Sequence, residues 1–267
     1  MEQEIRRYLG KTTVVGSELR CFDVIDSTNT YLKKVALEGA ADGTVVISEH
    51  QTAGRGRMTR SFESPEGKGI YLSVLLRPQL PPEKLLPVTA LAGVAVCDAV
   101  ERVCGVRPGL KWPNDPVLGK RKVCGILTEM VLDEKGRPNV ILGIGINVSQ
   151  TAEDFSPEVS NLAASLFMAL GRRVSRPALI AALLEELDRL YAALLADDLM
   201  AYLTAYRRDC VNLGKTVQLI GADGSWERAE AVDVDEAFGL VVRGENGELR
   251  TVRAGEVSVR GLYGYLE

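Results

Sequence analysis

Histidine is almost missing: His50 stands alone among 267 residues. That excludes a metal centre built on several imidazoles, and a Ser-His-Asp or Cys-His mechanism would rest on this one side chain. Cysteine is sparse and unpatterned. Cys21, Cys97, Cys104, Cys124 and Cys210 are odd in number, with no CxxC pair, which suits reduced thiols rather than disulfides or a thiolate zinc site. No apolar run approaches the roughly 18 residues that span a bilayer, and the opening MEQEIRRYLGKTT has no apolar signal core. The sequence therefore predicts a cytoplasmic protein with no membrane partner. A basic excess is lacking too: the formal net charge is −4, which argues against bulk affinity for nucleic acid.

What is present is ordinary globular composition, 46% hydrophobic and 25% charged, over a length that suits one large domain with or without a small appendage. Up to residue 212 strands and helices alternate. Strands are expected at 20–25, 44–50, 70–77, 106–112, 123–132 and 140–148. Helices are expected at 31–40, closed by Gly39, and at 83–103, 156–170 and 176–210, the last broken near Asp197-Asp198. From Leu213 the texture changes to short strands separated by glycine turns such as ADGS and GENG, as in a small barrel or sandwich. This predicts one unit over residues 1–212 and a second over 213–267.

Three polar clusters fall at strand ends. Ser27-Thr28-Asn29 follows the first strand; Ser27 or Thr28 could cap the next helix, or all three could hydrogen-bond a ligand. Residues 49–60, EHQTAGRGRMTR, set Gly54 and Gly56 among Arg55, Arg57 and Arg60. Glycine lets a backbone bend and approach a ligand closely, and arginine offers a fixed fork of donors to carboxylates and phosphates. A flexible basic surface loop would read the same way. Lys111-Trp112-Pro113-Asn114-Asp115 is either a turn or a site, and Lys122 either a solvated charge or a functional one. Gly143 and Gly145 lie on one face of the last long strand, so something approaches that face closely.

In this order and at these spacings, the clusters resemble the biotin protein ligase family, specifically over about residues 22–147 and more loosely beyond. The resemblance implies an α+β (α/β) fold: a mixed-sheet catalytic domain flanked by helices, of the biotin/lipoate ligase and class II synthetase kind, plus a small C-terminal SH3-like β-barrel. It implies biotin–[acetyl-CoA-carboxylase] ligase activity, with biotin and ATP as substrates, Mg²⁺ beside the nucleotide, and a biotin carboxyl carrier protein as acceptor. A homodimer is expected from the same source. Ser27, Thr28, Asn29 and Gln51 match the ureido contacts; Gly54, Arg55, Gly56 and Arg57 match the biotin loop; Lys122 and Gly125 complete the biotin set. Arg57, Arg60, Lys111, Trp112, Asn114, Asp115, Lys122 and Asn147 match the nucleotide side. Lys122, Arg57 and Asp115 are the catalytic candidates, with no metal held by protein ligands. The chain departs from the family's GRGRRGR by reading GRGRMTR, so Met58 and Thr59 carry no transferred role. A β-branched Thr59 would be strained if its φ had to be positive.

That chemistry accounts for the missing histidine. Biotin's carboxylate is already ionised at pH 7, so its attack on the α-phosphorus of ATP needs no general base. The obstacle is bringing anions together, which is work for Arg57, Lys111 and Lys122. Transfer needs a deprotonated lysine amine, for which Asp115 is the candidate. It also needs shelter from water, so residues 54–60 are expected to be mobile when empty and ordered over ligand. Two rivals stay open. One is a lipoate ligase, against which the Ser27–Asn29 and Gln51 polar set argues. The other is a biotin-operon repressor, which would carry an N-terminal DNA-binding domain of roughly 60 residues. About 20 residues precede the first strand, so no sequence-specific DNA binding is expected.

Overall fold

The computed structural model describes residues 1–56, 61–221, 224–253 and 257–261. Arg57, Met58, Thr59 and Arg60 lie outside the described residues, and with them every expectation placed on those four. Helix α1 (Glu2–Tyr8) leads into β1 (Leu19–Ile25), α2 (Thr28–Leu37), β2 (Val45–Gln51) and β3 (Gly69–Leu76). Then come α3 (Val88–Cys104), three short strands β4 (Gly109–Lys111), β5 (Asp115–Leu118) and β6 (Arg121–Lys122), and the long hairpin β7 (Cys124–Leu132) and β8 (Pro138–Asn147). Helices α4 (Leu166–Leu170), α5 (Arg176–Leu195) and α6 (Met200–Asp209) precede β9 (Thr216–Gly221), β10 (Trp226–Val234), β11 (Leu240–Gly244), β12 (Leu249–Val252) and β13 (Val257–Gly261).

The main sheet runs β1-β2-β3-β8-β7, with β1 and β2 parallel and every other pair antiparallel. It is mixed and flanked by helices, as expected. Central β3 is buried at every position, because both of its faces are covered. On one face α2 packs Leu32, Val35 and Ala36 against Val46, Leu75 and Ile141. On the other, residues of α3 and α5 form the larger core with Ile47, Leu72, Val74 and Ile144. Period-two alternation then puts Ser73 of β3, Gly143 and Gly145 of β8, and Gly125 and Glu129 of β7 on the α2 face. Helix α2 covers only part of that face, and the uncovered part is where the site forms.

Three expectations change. The helix expected at 83–103 begins at Val88 with Pro87 as its N-cap, after a 3₁₀ turn over Pro82–Leu85, because proline has no N–H to give inside a helix. The strand expected at 106–112 shortens to Gly109–Lys111. Of the helix expected at 156–170, only Leu166–Leu170 forms. The preceding residues are drawn into tertiary pairing: Lys122 N–H donates to Leu162 O at 2.8 Å and Ala164 N–H donates to Lys122 O at 2.9 Å.

The second sheet, β12-β11-β10-β9-β13, is antiparallel throughout. Among the described residues no pairing joins β12 to β13, so the expected barrel is an open antiparallel sheet there. All five cysteines are free, four of them buried. Among the described residues no helix is long and apolar enough to cross a membrane.

Candidate active site

A cavity of about 420 Å³ opens between the uncovered sheet face, the β4–β6 sheet and the edge of the second sheet. That is room for a small ligand. Its inner end is the N-terminus of α2. Ser27 takes an extended conformation and its hydroxyl accepts from Thr30 N–H at 3.5 Å, so it caps the helix and also lines the cavity. Thr28 gives both its N–H (2.9 Å) and its hydroxyl (3.1 Å) to Gln51 Oε1, and Gln51 Nε2 donates to Ser64 Oγ at 3.1 Å. Asn29 Nδ2 donates to Glu129 Oε2 at 2.9 Å, while Ser73 Oγ lies 2.5 Å from Asn29 Oδ1 and 2.7 Å from Thr28 Oγ1. Buried polar groups are costly unless paired, and these are paired in one fixed arrangement.

The glycines on the sheet face make this close packing possible. A Cβ on Gly143 would sit 2.2 Å from Asn29 Oδ1, and one on Gly145 would sit 2.6 Å from the Phe62 ring. What approaches the face closely is therefore Asn29 and Phe62. The base of the glycine–arginine loop is clamped on both sides. Arg55 and Ser61 form an antiparallel bridge and Phe62 N–H donates to Gly54 O at 2.9 Å. A Cβ on Gly54 would meet Phe62 O at 2.3 Å. The return leg is held by His50 Nδ1, 2.7 Å from Ser64 O, and by the Tyr71 hydroxyl, which donates to Pro65 O at 2.9 Å. His50 thus buttresses the loop base.

At the other end, β4 and β5 pair Lys111 with Asp115 across the tight turn that holds Trp112, Pro113 and Asn114. Asn114 Nδ2 donates to Ile126 O at 2.6 Å, fixing the turn on β7. Trp112 is 1% exposed; its N–H donates to Asn212 Oδ1 at 2.8 Å and its indole N–H to Phe238 O at 3.0 Å. The Tyr206 hydroxyl donates to Pro113 O at 3.0 Å. The second sheet is thereby docked on this turn. Lys122 Nζ lies 2.6 Å from Asp115 Oδ1, so the proposed base and the proposed catalytic lysine are a salt-bridged pair.

Of the residues singled out in the sequence, the cavity wall gathers Ser27, Thr28, Asn29, Gln51, Arg55 and Gly56 at one end. At the other it gathers Lys111, Trp112, Asn114, Asp115, Lys122 and Gly125. Gly54 and Asn147 are not on the wall. Asn147 Nδ2 donates to Ala164 O at 3.2 Å, so it holds the segment that pairs with Lys122. Sequence reasoning missed Phe62, Leu162, Gln218 and Arg260 on the wall, and Ser64, Ser73 and Glu129 behind it. Two of these were signalled: Ser73 interrupts the otherwise apolar and aromatic run of buried β3, and Glu129 is the one charge in β7. Nothing in the sequence signalled Gln218 and Arg260, which reach the cavity only because the second sheet folds back. Burial works to raise the Glu129 carboxyl, but hydrogen bonds from Lys33 and Asn29 and the nearby cations outweigh it and hold it below the usual glutamate range.

The family model described as the biotin/lipoate A/B protein ligase family matches residues 21–147. A bifunctional ligase/repressor BirA of Bacillus spizizenii is 36% identical over 246 residues, 92% of this chain and 75% of that protein. A biotin–[acetyl-CoA-carboxylase] ligase of Mycobacterium tuberculosis is 41% identical over 155 residues, 55% of this chain and 56% of that protein. Among solved structures, a biotin protein ligase from Aquifex aeolicus in complex with biotin and ATP superposes with a TM-score of 0.79 at 28% identity, covering 92% of this chain and 99% of that one.

Proposed function

The chain belongs to the biotin/lipoate A/B protein ligase family, and on that premise we propose that it activates biotin with ATP and passes the biotinyl group to a lysine of a biotin carboxyl carrier protein. The observation that carries this reading is the division of one cavity. Amides and hydroxyls from Ser27, Thr28, Asn29 and Gln51 line one end, and Lys111, Lys122 and Arg260 line the other. The first end suits a neutral ureido group that both donates and accepts. The second suits polyphosphate.

In the first step a biotin carboxylate oxygen bonds to the α-phosphorus and pyrophosphate leaves, giving biotinyl-5′-AMP. The cations lower the cost of joining two anions. In the second step a neutral lysine amine attacks the acyl carbon, AMP leaves, and the amine's extra proton is shed. Asp115 can steer that amine only when its bond to Lys122 is exchanged or shared. Mg²⁺ belongs with the nucleotide. Among the described residues no three His, Cys, Asp or Glu side chains gather into a metal site, and Mg²⁺ commonly uses one or two carboxylates together with substrate phosphates. Asp115 is the carboxylate on the wall.

We read residues 1–212 as the catalytic unit and 213–267 as a C-terminal unit that completes the nucleotide end, in a cytoplasmic enzyme. The main sheet leaves β1 and β7 as edges, and edge strands are natural sites for a second copy. Repressor function is named for the Bacillus spizizenii relative; the net charge of −4 does not favour specific DNA binding here, and a gel shift with operator DNA tests that. The catalytic reading is tested by exchange of labelled pyrophosphate into ATP. Exchange dependent on biotin and absent with lipoate is expected. Exchange with lipoate alone, or with neither acid, contradicts the reading.

A further inference from the structure

Glu129 is a carboxylate the reaction above does not use. It sits behind the cavity wall on β7, with its side chain 17% exposed, and three groups converge on it. Asn29 Nδ2 donates to Oε2 at 2.9 Å. Lys33 Nζ pairs with Oε1, and an Arg55 guanidinium nitrogen lies 3.3 Å from the same oxygen. Asn29 and Lys33 are one turn apart on α2, hence on one face of that helix. Arg55 belongs to the base of the glycine–arginine loop.

We propose that Glu129 is a positioning residue for the carboxylic-acid substrate, fixing the Asn29 amide and tying the loop base to α2 before ligand arrives. This rests on the reading of the cavity as a biotin site. An ionised carboxylate can only accept hydrogen bonds, so it must face Asn29 Nδ2 and not Oδ1. The Ser73 hydroxyl, 2.5 Å from Oδ1, can donate there, and together the two allow one amide orientation. That orientation leaves one Nδ2 hydrogen and one Oδ1 lone pair for a ligand that presents both a carbonyl and an N–H, as a ureido ring does. The charges do not cancel: one carboxylate faces two cations, so the loop base keeps a positive surplus for the substrate's own carboxylate. Burial works to raise the Glu129 carboxyl, but Lys33, Asn29 and Arg55 outweigh it and hold it below the usual glutamate range.

The test measures biotin affinity by calorimetry, and KM for biotin and ATP in pyrophosphate exchange, for Glu129→Ala and the near-isosteric Glu129→Gln. Glu129→Ala is expected to raise the biotin Kd and KM about 10- to 100-fold while the ATP KM moves less than about twofold. Glu129→Gln keeps an acceptor for Asn29 but loses the charge, and a rise of about tenfold is expected. If Glu129→Ala does not fold, the Gln variant decides alone. A biotin Kd unchanged in a folded variant overturns the inference, as does a parallel rise in both KM values, the mark of a merely structural role. Wild-type protein without biotin-dependent exchange overturns the parent reading and this one with it; active wild type with unchanged variants overturns this inference only.

Discussion

At the α2 end of the cavity the polar groups come from α2, the strands of one sheet and the loop after β2, and are tied to each other, whereas the β4–β6 end is completed by groups from outside that sheet. Thr28, Asn29, Gln51, Ser64, Ser73 and Glu129 form one hydrogen-bonded net. By contrast Lys122 is held by residues 162–164, Trp112 by Asn212 and Phe238, and Arg260 arrives on β13 beside Gln218 of β9. The hydroxyls and amides of the first end are preorganised for a neutral, rigid group, with Arg55 beside them for a carboxylate, and misplaced donors there leave buried atoms unpaired. The second is cationic and depends on long-range docking, which suits a charged, flexible substrate that tolerates small shifts in position.

The comparison can be broken at four points. Lys122→Ala should cut biotin-dependent pyrophosphate exchange by at least about 100-fold to 1,000-fold, with biotin Kd much less affected; near-normal exchange removes the lysine from the chemistry. Gly143→Ala places a Cβ 2.2 Å from Asn29 Oδ1. It should weaken biotin binding about 10- to 100-fold through overpacking and spare the ATP KM, whereas an equal loss for both substrates would mean the ends are not separable. His50→Ala removes one hydrogen bond to the loop base and should lower kcat/KM for biotin less than about fivefold, because the imidazole carries no proton in the reaction; a loss of several orders of magnitude would restore it as a catalyst.

The last point is a pH effect at Asp209, the last residue of α6, whose neighbour Cys210 bridges Leu110 of β4 at the β4–β6 end. Burial works to raise Asp209, but Arg208 and Arg107 outweigh it and hold its carboxyl below the usual aspartate range. Its folded pKa is therefore lower than its unfolded one of about 3.9. The stability it contributes is fully present above that unfolded value and is lost as pH falls through the folded one. The difference in unfolding free energy between wild type and Asp209→Asn should hold steady from neutral pH to mildly acid, then shrink as acid titrates the carboxylate. A difference that grows on acidification would reverse the assignment.

How much of this was legible follows the same division. The positions of Ser27, Thr28, Asn29 and Gln51 at strand ends were readable from strand patterning, while their role as ligand contacts and the mixed sheet came only from the family resemblance. The partners that orient them were less so: Ser73 and Glu129 are single polar letters inside strands, visible only once alternation shows which face they occupy. The helix expected over 156–170 failed because pairing with Lys122 outweighed local propensity. Trp112 read as a nucleotide contact, and its 1% exposure with an indole bond to Phe238 makes it also the joint between the two sheets. Arg260 could not be foreseen, because its approach to the cavity depends on tertiary docking across more than half the chain.

The central claim is that one cavity joins biotin to a protein lysine at the expense of ATP. The direct measurement is mass spectrometry of a biotin carrier domain incubated with this protein, ATP, Mg²⁺ and biotin. A mass gain of one biotinyl group, on a single lysine and only when ATP and biotin are both present, is the predicted result. No gain, or gain independent of ATP, would contradict the account.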